Sequence, residues 1–214
     1  MKIAIIGQGG HSKVVRDLIK TIGEVEIVGC LDDQYNAEFY REQVFYGPVD
    51  AARTFTEDFP DVRFFVAVGN NRVRKQIVER LGIPDALYAT LIHPTAHISS
   101  STSIGPGSVV MPCAVINTDV QVGAHAIINT CAVVEHDSLV ANYAHVSPNA
   151  TLTGNVMVRE GAQIGASATV IPGKEIGKWT IVGAGATVID DIPPYCTAVG
   201  VPAMVKTKEI TGGV

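Results

Sequence analysis

A period of six residues constrains this chain more than any other feature. From Ile92 every sixth position through Val188 is aliphatic: Ile98, Ile104, Val110 and Ile116 open the series, and Val170, Ile176 and Val182 lead to its end, with no slip in phase. Two residues before most of them stands something small, such as Ala114, Ala126, Ala132, Ala144, Ala150 and Ala162; Val120, Val156 and Lys174 are the departures. Six fits neither an amphipathic helix nor an ordinary alternating strand. It is the mark of a parallel β-helix built from hexapeptides. Each hexapeptide makes one short flat face, and three faces close a triangular coil. The aliphatic residue points inward and stacks on its equivalent in the next coil. The small residue lets the chain turn without crowding the core. One coil cannot bury its own apolar face, so stability comes from stacking. A β-sandwich with chance periodicity is a poor account of so long an unbroken run.

Composition agrees. The 214 residues are 47% hydrophobic but only 6% aromatic, as suits a core of Val, Ile and Ala. A net charge of −5 argues against general nucleic-acid binding. No apolar run is long enough to span a bilayer. The chain opens directly on a strand pattern, so no signal peptide is expected and a cytoplasmic location follows. Cys30, Cys113, Cys131 and Cys196 show no CxxC spacing. Cys113 and Cys131 are one coil apart and are read as a thiol pair, as suits a reducing compartment.

Ahead of the repeat, a strand over residues 2–6 runs into Gly7, Gln8, Gly9, Gly10, His11, Ser12 and Lys13, and residues 14–22 have helical periodicity. Strand, glycine turn and helix make a phosphate cradle, because N–H groups at a helix start favour anions. Ser12 stands where the dinucleotide fingerprint has its third glycine, so an intact NAD site is not expected. A second strand over residues 26–31 ends in Asp32 and Asp33, placed to meet ribose hydroxyls or a base; a solvated acidic turn is the alternative. Residues 34–49 read as irregular. A third strand over residues 63–68 leads to Gly69, Asn70 and Asn71, and residues 72–81 read as a helix. This alternation predicts a small parallel α/β domain whose ligand lies at the carboxyl ends of its strands.

Within the repeat, His136 lies two places past the inward Val134, where the chain leaves a face. One coil on, the stacked position is Gly154, which leaves open backbone beside a base. His145 is half a coil round from His136, so one chain cannot bring the two together; His125 is close to His145 in phase. Gly165, Ala166, Gly183, Ala184 and Gly185 would leave a smooth groove for a pantetheine arm, although glycines also serve coil corners.

The repeat resembles the left-handed β-helix of hexapeptide acyltransferases; the handedness comes from that resemblance. The GxGGH, DD and GNN motifs ahead of it, and the ending Gly200-Val201-Pro202-Ala203, narrow the likeness to the sialic-acid O-acetyltransferase and nucleotide-amino-sugar N-acetyltransferase group, over nearly the full length. It is most similar to enzymes acting on the 4-amino group of a UDP-linked 4-amino-4,6-dideoxy-N-acetylglucosamine. The resemblance implies a Rossmann-like nucleotide-sugar domain over 1–90, a β-helix acyltransferase domain over 91–190 and a tail over 191–214 bordering the coenzyme A site, with residues 204–214 a cap or frayed end. It implies acetyl-CoA as donor, no metal, and a homotrimer with active sites between subunits. His136 would be the general base and Asp137 its partner. Gly9, Gly10, His11, Asp32, Asp33, Gly69 and Asn70 would hold the nucleotide sugar. His145, Gly154, Ala166 and Ala184 would lie on the acetyl-CoA side. O-acetylation of a sialic-acid-like sugar, a γ-carbonic-anhydrase-type hydratase using His125, His136 and His145, and a non-catalytic nucleotide-sugar-binding module are the competing readings.

Overall fold

A computed structural model describes residues 1–208 and divides the chain into two compact units, Met1–Leu91 and the part from Ile92 onward. The first is an α/β unit. Its elements are β1 (Lys2–Ile6), α1 (Gly10–Ile22), β2 (Glu26–Leu31), β3 (Phe39–Arg41), β4 (Val44–Gly47), α2 (Phe55–Asp58), β5 (Arg63–Val66) and α3 (Asn71–Leu81). The sheet order is β3-β4-β2-β1-β5. β1 lies between β2 and β5 and is parallel to both. Its Ile3, Ala4, Ile5 and Ile6 are fully buried, which is why this strand is continuously apolar rather than alternating.

Several boundaries differ from the sequence reading; β5, for one, ends at Val66 rather than at residue 68. α1 begins at Gly10, four residues before its apolar periodicity does, because glycines give no helix signal. Residues 34–49, read as irregular, contain the antiparallel β3–β4 hairpin. Its turn places Glu42 and Gln43 at φ 51° and 66°. That conformation is usually marked by Asn-Gly or Asp-Gly, so the hairpin carried no turn signature.

The second unit is a parallel β-helix. Two-residue strands repeat every six residues and pair eighteen residues apart, as in Val115 with Val133 and Ile116 with Val134. Three sheets result. Face one starts at Leu91–Ile92, face two at His97–Ile98 and face three at Ser103–Ile104. From Val110 through Val188 the inward aliphatics are buried, stacked into one column-like core. Ile92, expected in that stack, is 39% exposed, since its strand ends its sheet and has a neighbour on one side only. The last regular strand, Thr187–Val188, lies on face two; Cys196–Val199 then extends the face-one sheet, and Met204–Lys208 pairs antiparallel against it. That strand caps the sheet; residues 209–214 lie outside the described residues.

From Gly107 onward the corners are turned by a left-handed residue, in most cases just before the small one. Cys131, Asp137 and Tyr143 have φ of 55°, 60° and 59°. A non-glycine residue there costs about 1–2 kcal/mol. Each is offset by a bond to the coil before it: Cys131 donates its N–H to Pro112 O at 3.0 Å, and Asp137 donates to Thr118 O at 3.1 Å.

Candidate functional site

In the α/β unit, the loops after β1, β2 and β5 lie side by side at the carboxyl ends of the strands. Gly7 closes β1 at φ 105°; a Cβ there would lie 2.8 Å from Val68 Cγ2, so the two loops touch only because the side chain is missing. Gly9 and Gly10 are different. A Cβ on either would meet nothing within 4 Å, so the fold does not require glycine there. Gly9 caps α1 with no side-chain bond, and the first turn holds no acidic residue. The helix start is thus open and favours an anion.

Asp32 accepts the Gln8 N–H at 2.7 Å and the Gln34 N–H at 2.9 Å, which ties β2 to the glycine loop. Asp33 is engaged elsewhere: Arg80 donates to it at 2.7 Å and Val49 N–H at 3.2 Å. The Arg80 hydrogen bonds hold its carboxyl below the usual range. Asn70 caps α3, its side chain accepting the Val73 N–H at 3.1 Å. Gly69 O accepts from Arg74 Nη1, and a Cβ on Gly69 would sit 3.7 Å from His11 Cβ. His11 is pushed down from 6.5 to about 4, by burial first and by the Arg74 charge second, so it is neutral near pH 7.

The β-helix carries a second constellation. His136 and Asp137 leave face two together. Asp137 Oδ2 lies 2.8 Å from His136 Nδ1, with both side chains more than half exposed. The left-handed φ of Asp137 turns its short side chain back to the preceding ring. Asp137 raises the His136 pKa, first by this hydrogen bond, and Glu135 adds to it. A ring that donates Nδ1–H to a carboxylate keeps its lone pair on Nε2. That Nε2 stands over Gly154, where a Cβ would lie 2.7 Å away. Gly154→Ala therefore forces the imidazole aside without touching the buried core. We expect kcat to fall roughly tenfold or more with the melting temperature unchanged; equal turnover would show that the ring tolerates displacement.

His145 stands on face one. Asn129, which the sequence reading did not single out, approaches its Nε2 at 3.0 Å. Asn129 Oδ1 accepts the Thr130 N–H at 2.8 Å, which fixes the amide so that Nδ2 faces the ring. His145 Nε2 is then an acceptor, and the ring proton is on Nδ1. The repeat carried this signal: adjacent coils bring residues sixteen apart near each other. Ala166 and Ala184 are exposed on the edge that leaves face one, with Gly185 N–H donating to Ala166 O at 2.8 Å. The structure thus joins His136, Asp137 and Gly154 on one edge and places His145, Ala166 and Ala184 on and beside another face. His125, considered alongside His145, is buried and stacks on Tyr143 at 5.2 Å.

A stacked hexapeptide coil with an exposed imidazole–carboxylate pair, joined in sequence to a nucleotide-type α/β unit, defines a hexapeptide acyltransferase architecture. The comparisons narrow it. The PglD N-terminal domain family matches residues 2–81. PerB of Caulobacter crescentus, solved with CoA and GDP-perosamine, superposes with a TM-score of 0.86 at 38% identity over 97% of this chain and 98% of that one. The acetyltransferase domain of PglB from Neisseria gonorrhoeae, solved with acetyl coenzyme A, gives 0.83 at 37% identity over 96% and 98%. A curated relative, the UDP-N-acetylbacillosamine N-acetyltransferase of Bacillus subtilis, is 48% identical over 109 residues; the match spans 51% of this chain and 50% of that protein. The chain belongs to the family of left-handed β-helix sugar N-acetyltransferases that these proteins represent.

Proposed function

We propose that this protein transfers an acetyl group from acetyl-CoA to the amino group of a nucleotide-linked amino-dideoxy sugar, with a UDP-linked 4-amino sugar as its substrate. The observation that carries this reading is the His136–Asp137 pair, exposed over the bare backbone of Gly154. The amine attacks the thioester carbonyl while His136 Nε2 takes a proton from it. The tetrahedral intermediate expels the coenzyme A thiolate, which takes that proton from the imidazolium. No acyl-enzyme is needed. Asp137 holds the ring in the productive tautomer and stabilises its charged form. Acetyl coenzyme A and GDP-perosamine bound in the relatives support an acetyl-CoA donor and a nucleotide-linked amino sugar, and the Bacillus subtilis relative's UDP-sugar activity supports the choice of UDP.

The glycine loop, Asp32 and Gly69 serve the nucleotide sugar in this reading, with Asp33 and Asn70 holding the loops in shape. His145, Ala166 and Ala184 serve acetyl-CoA. We further propose a homotrimer with its sites between subunits. Two features support it: His136 and His145 stand on different sides of one coil, and the outward column Val115, Val133, Thr151, Thr169 and Thr187 offers a half-buried, β-branched packing face. Light scattering giving three chains per particle checks this, and a monomer retaining full activity would end it. No helix among the described residues is long and apolar enough to cross a membrane; a cytoplasmic location is part of the same proposal.

The deciding experiment is thiol release across a panel of UDP-amino and UDP-hydroxy sugars. Turnover confined to amino sugars supports the reading, and transfer only to hydroxyls replaces it with O-acetylation. The acid limb of kcat/KM should have its inflection above the ordinary histidine value of about 6.5, because Asp137 favours the protonated ring. Asp137→Asn removes that preference, so the limb moves down in pH while kcat falls. An unmoved limb would separate Asp137 from the base.

A further inference from the structure

The edge at which the chain leaves face one carries two thiols that the proposed reaction does not use. Cys113 and Cys131 are both exposed. They stand one coil apart, at the same corner of adjacent coils. The Cys131 N–H donates to Pro112 O at 3.0 Å, which ties one corner to the other. Both residues are left-handed, with φ of 57° and 55°, so the two corners take the same turn and their side chains leave it alike. Adjacent coils lie about 4.8 Å apart, inside the Cα separation of about 4.4–6.8 Å that a disulfide spans. The same column shows how near stacked side chains come. Thr95 is one coil before Cys113, and its Oγ1 lies 3.7 Å from Cys113 Sγ.

The fold does not ask for sulfur at this corner. Asn149 and Ser167 take it in the next two coils, each at φ 57°. The other two cysteines, Cys30 and Cys196, are buried. The pair also borders the residues given to acetyl-CoA. Cys131 directly follows Asn129 and Thr130. Asn129 Nδ2 lies 3.0 Å from His145 Nε2, and the Thr130 N–H donates to Asn129 Oδ1 at 2.8 Å. Ala166 is two coils beyond Thr130 in its own column. A pull on the Cys131 corner therefore reaches Thr130 first, and then the amide that orients His145.

We propose that Cys113 and Cys131 are a redox modification site: a dithiol that a low-molecular-mass disulfide oxidises to a cross-coil disulfide, which weakens acetyl-CoA binding. The effect on acetyl-CoA rests on the reading of this edge as its binding side; the thiol chemistry stands apart from that reading. One thiolate attacks the small disulfide, forms a mixed disulfide and releases one small thiol. The neighbouring thiolate attacks the protein sulfur of that mixed disulfide and releases the second. The protein gives up two protons and two electrons, and the small disulfide takes them as two thiols. Exposed disulfides are the labile ones, and in a reducing compartment such bonds are transient and redox-sensing. A bond on this edge thus opens again when the thiol pool recovers.

Treating the full-length protein with glutathione disulfide tests this, read by intact mass and by the KM for acetyl-CoA. The wild type loses two hydrogens without keeping an adduct, and its peptides show Cys113 joined to Cys131. Cys113→Ser and Cys131→Ser each keep one glutathione, since the second thiol is gone. Serine suits the corner, as Ser167 shows, and unchanged melting confirms the fold of the variants. In the oxidised wild type the KM for acetyl-CoA rises about fivefold, and dithiothreitol restores it. In the double serine variant the same treatment leaves KM where it was. A wild type that stays reduced, or that carries glutathione in place of the cross-link, overturns the dithiol. A cross-link that forms and leaves KM unmoved overturns its effect on acetyl-CoA. If the reduced enzyme makes no use of acetyl-CoA, the functional reading fails, while the mass measurement still decides the disulfide.

Discussion

Replacing His136 with Ala lowers kcat by roughly 10²–10⁴-fold, the usual worth of a positioned general base. The side chain supports nothing else. It is 58% exposed, and its neighbours on the coil are held by backbone bonds that Ala retains, such as Asn155 N–H to His136 O at 2.8 Å. Melting and acetyl-CoA affinity therefore stay as in the wild type, and the loss appears in kcat. The amine cannot be acylated without shedding a proton, and in the proposed mechanism Nε2 of His136, opposite the Nδ1 that faces the Asp137 carboxylate, takes it. Turnover close to wild type in the Ala variant would remove His136 from the chemistry. A loss seen only in KM would make it a binding group.

Much of the β-helix is legible in the sequence because its rule is one-dimensional. Ile116, Val134 and Leu152 are inward because each is eighteen residues from the next, and no distant part of the chain can override that. The same arithmetic placed Gly154 beside His136. What the repeat did not reveal is how the corners turn. Gly, Asp and Asn are common there, but residues as different as Cys131, Tyr143 and Trp179 also take the left-handed conformation, so the compositional signature is weak. The reach of Asp137 to its neighbour follows from that conformation and could not be read from the pair of letters. In the α/β unit the strands were clear, since buried parallel strands are runs of apolar residues. The hairpin was not, because Glu42-Gln43 is an unusual turn. The competition for carboxylates was also hidden: Asp32 and Asp33 are adjacent, yet Arg80, far along the chain, claims only the second. Asn70 looked like a ligand residue and is first a helix cap, as a side-chain oxygen before a helix commonly is.

Replacing Arg74 with Met destabilises the α/β unit by about 3 kcal/mol, from hydrogen bonds to a charged group lost in a buried place. In a domain of this size that lowers its melting by well over about 10 °C. Arg74 is 1% exposed. It donates to Val68 O at 2.8 Å, to Gly69 O at 3.2 Å and to Asn71 Oδ1 at 2.9 Å, so it holds the loop between β5 and α3. Met fills a similar volume but removes the three hydrogen bonds that the guanidinium donates. Arg74→Lys lies between the two, since one ammonium cannot span all three acceptors in the same plane. The same substitution reaches His11. Burial lowers that imidazole most, and the Arg74 charge lowers it further, from 6.5 to about 4. The unfolded chain therefore binds a proton that the folded one refuses, and stability is lost as pH falls from 6.5 toward 4. Removing the charge raises the folded pKa of His11 and narrows that window, so the Met variant, although weaker at pH 7, loses less of its remaining stability on acidification. Thermal melts at several pH values, followed by circular dichroism, measure both effects. A Met variant that melts with the wild type at neutral pH would show that the loop holds its shape without the clamp.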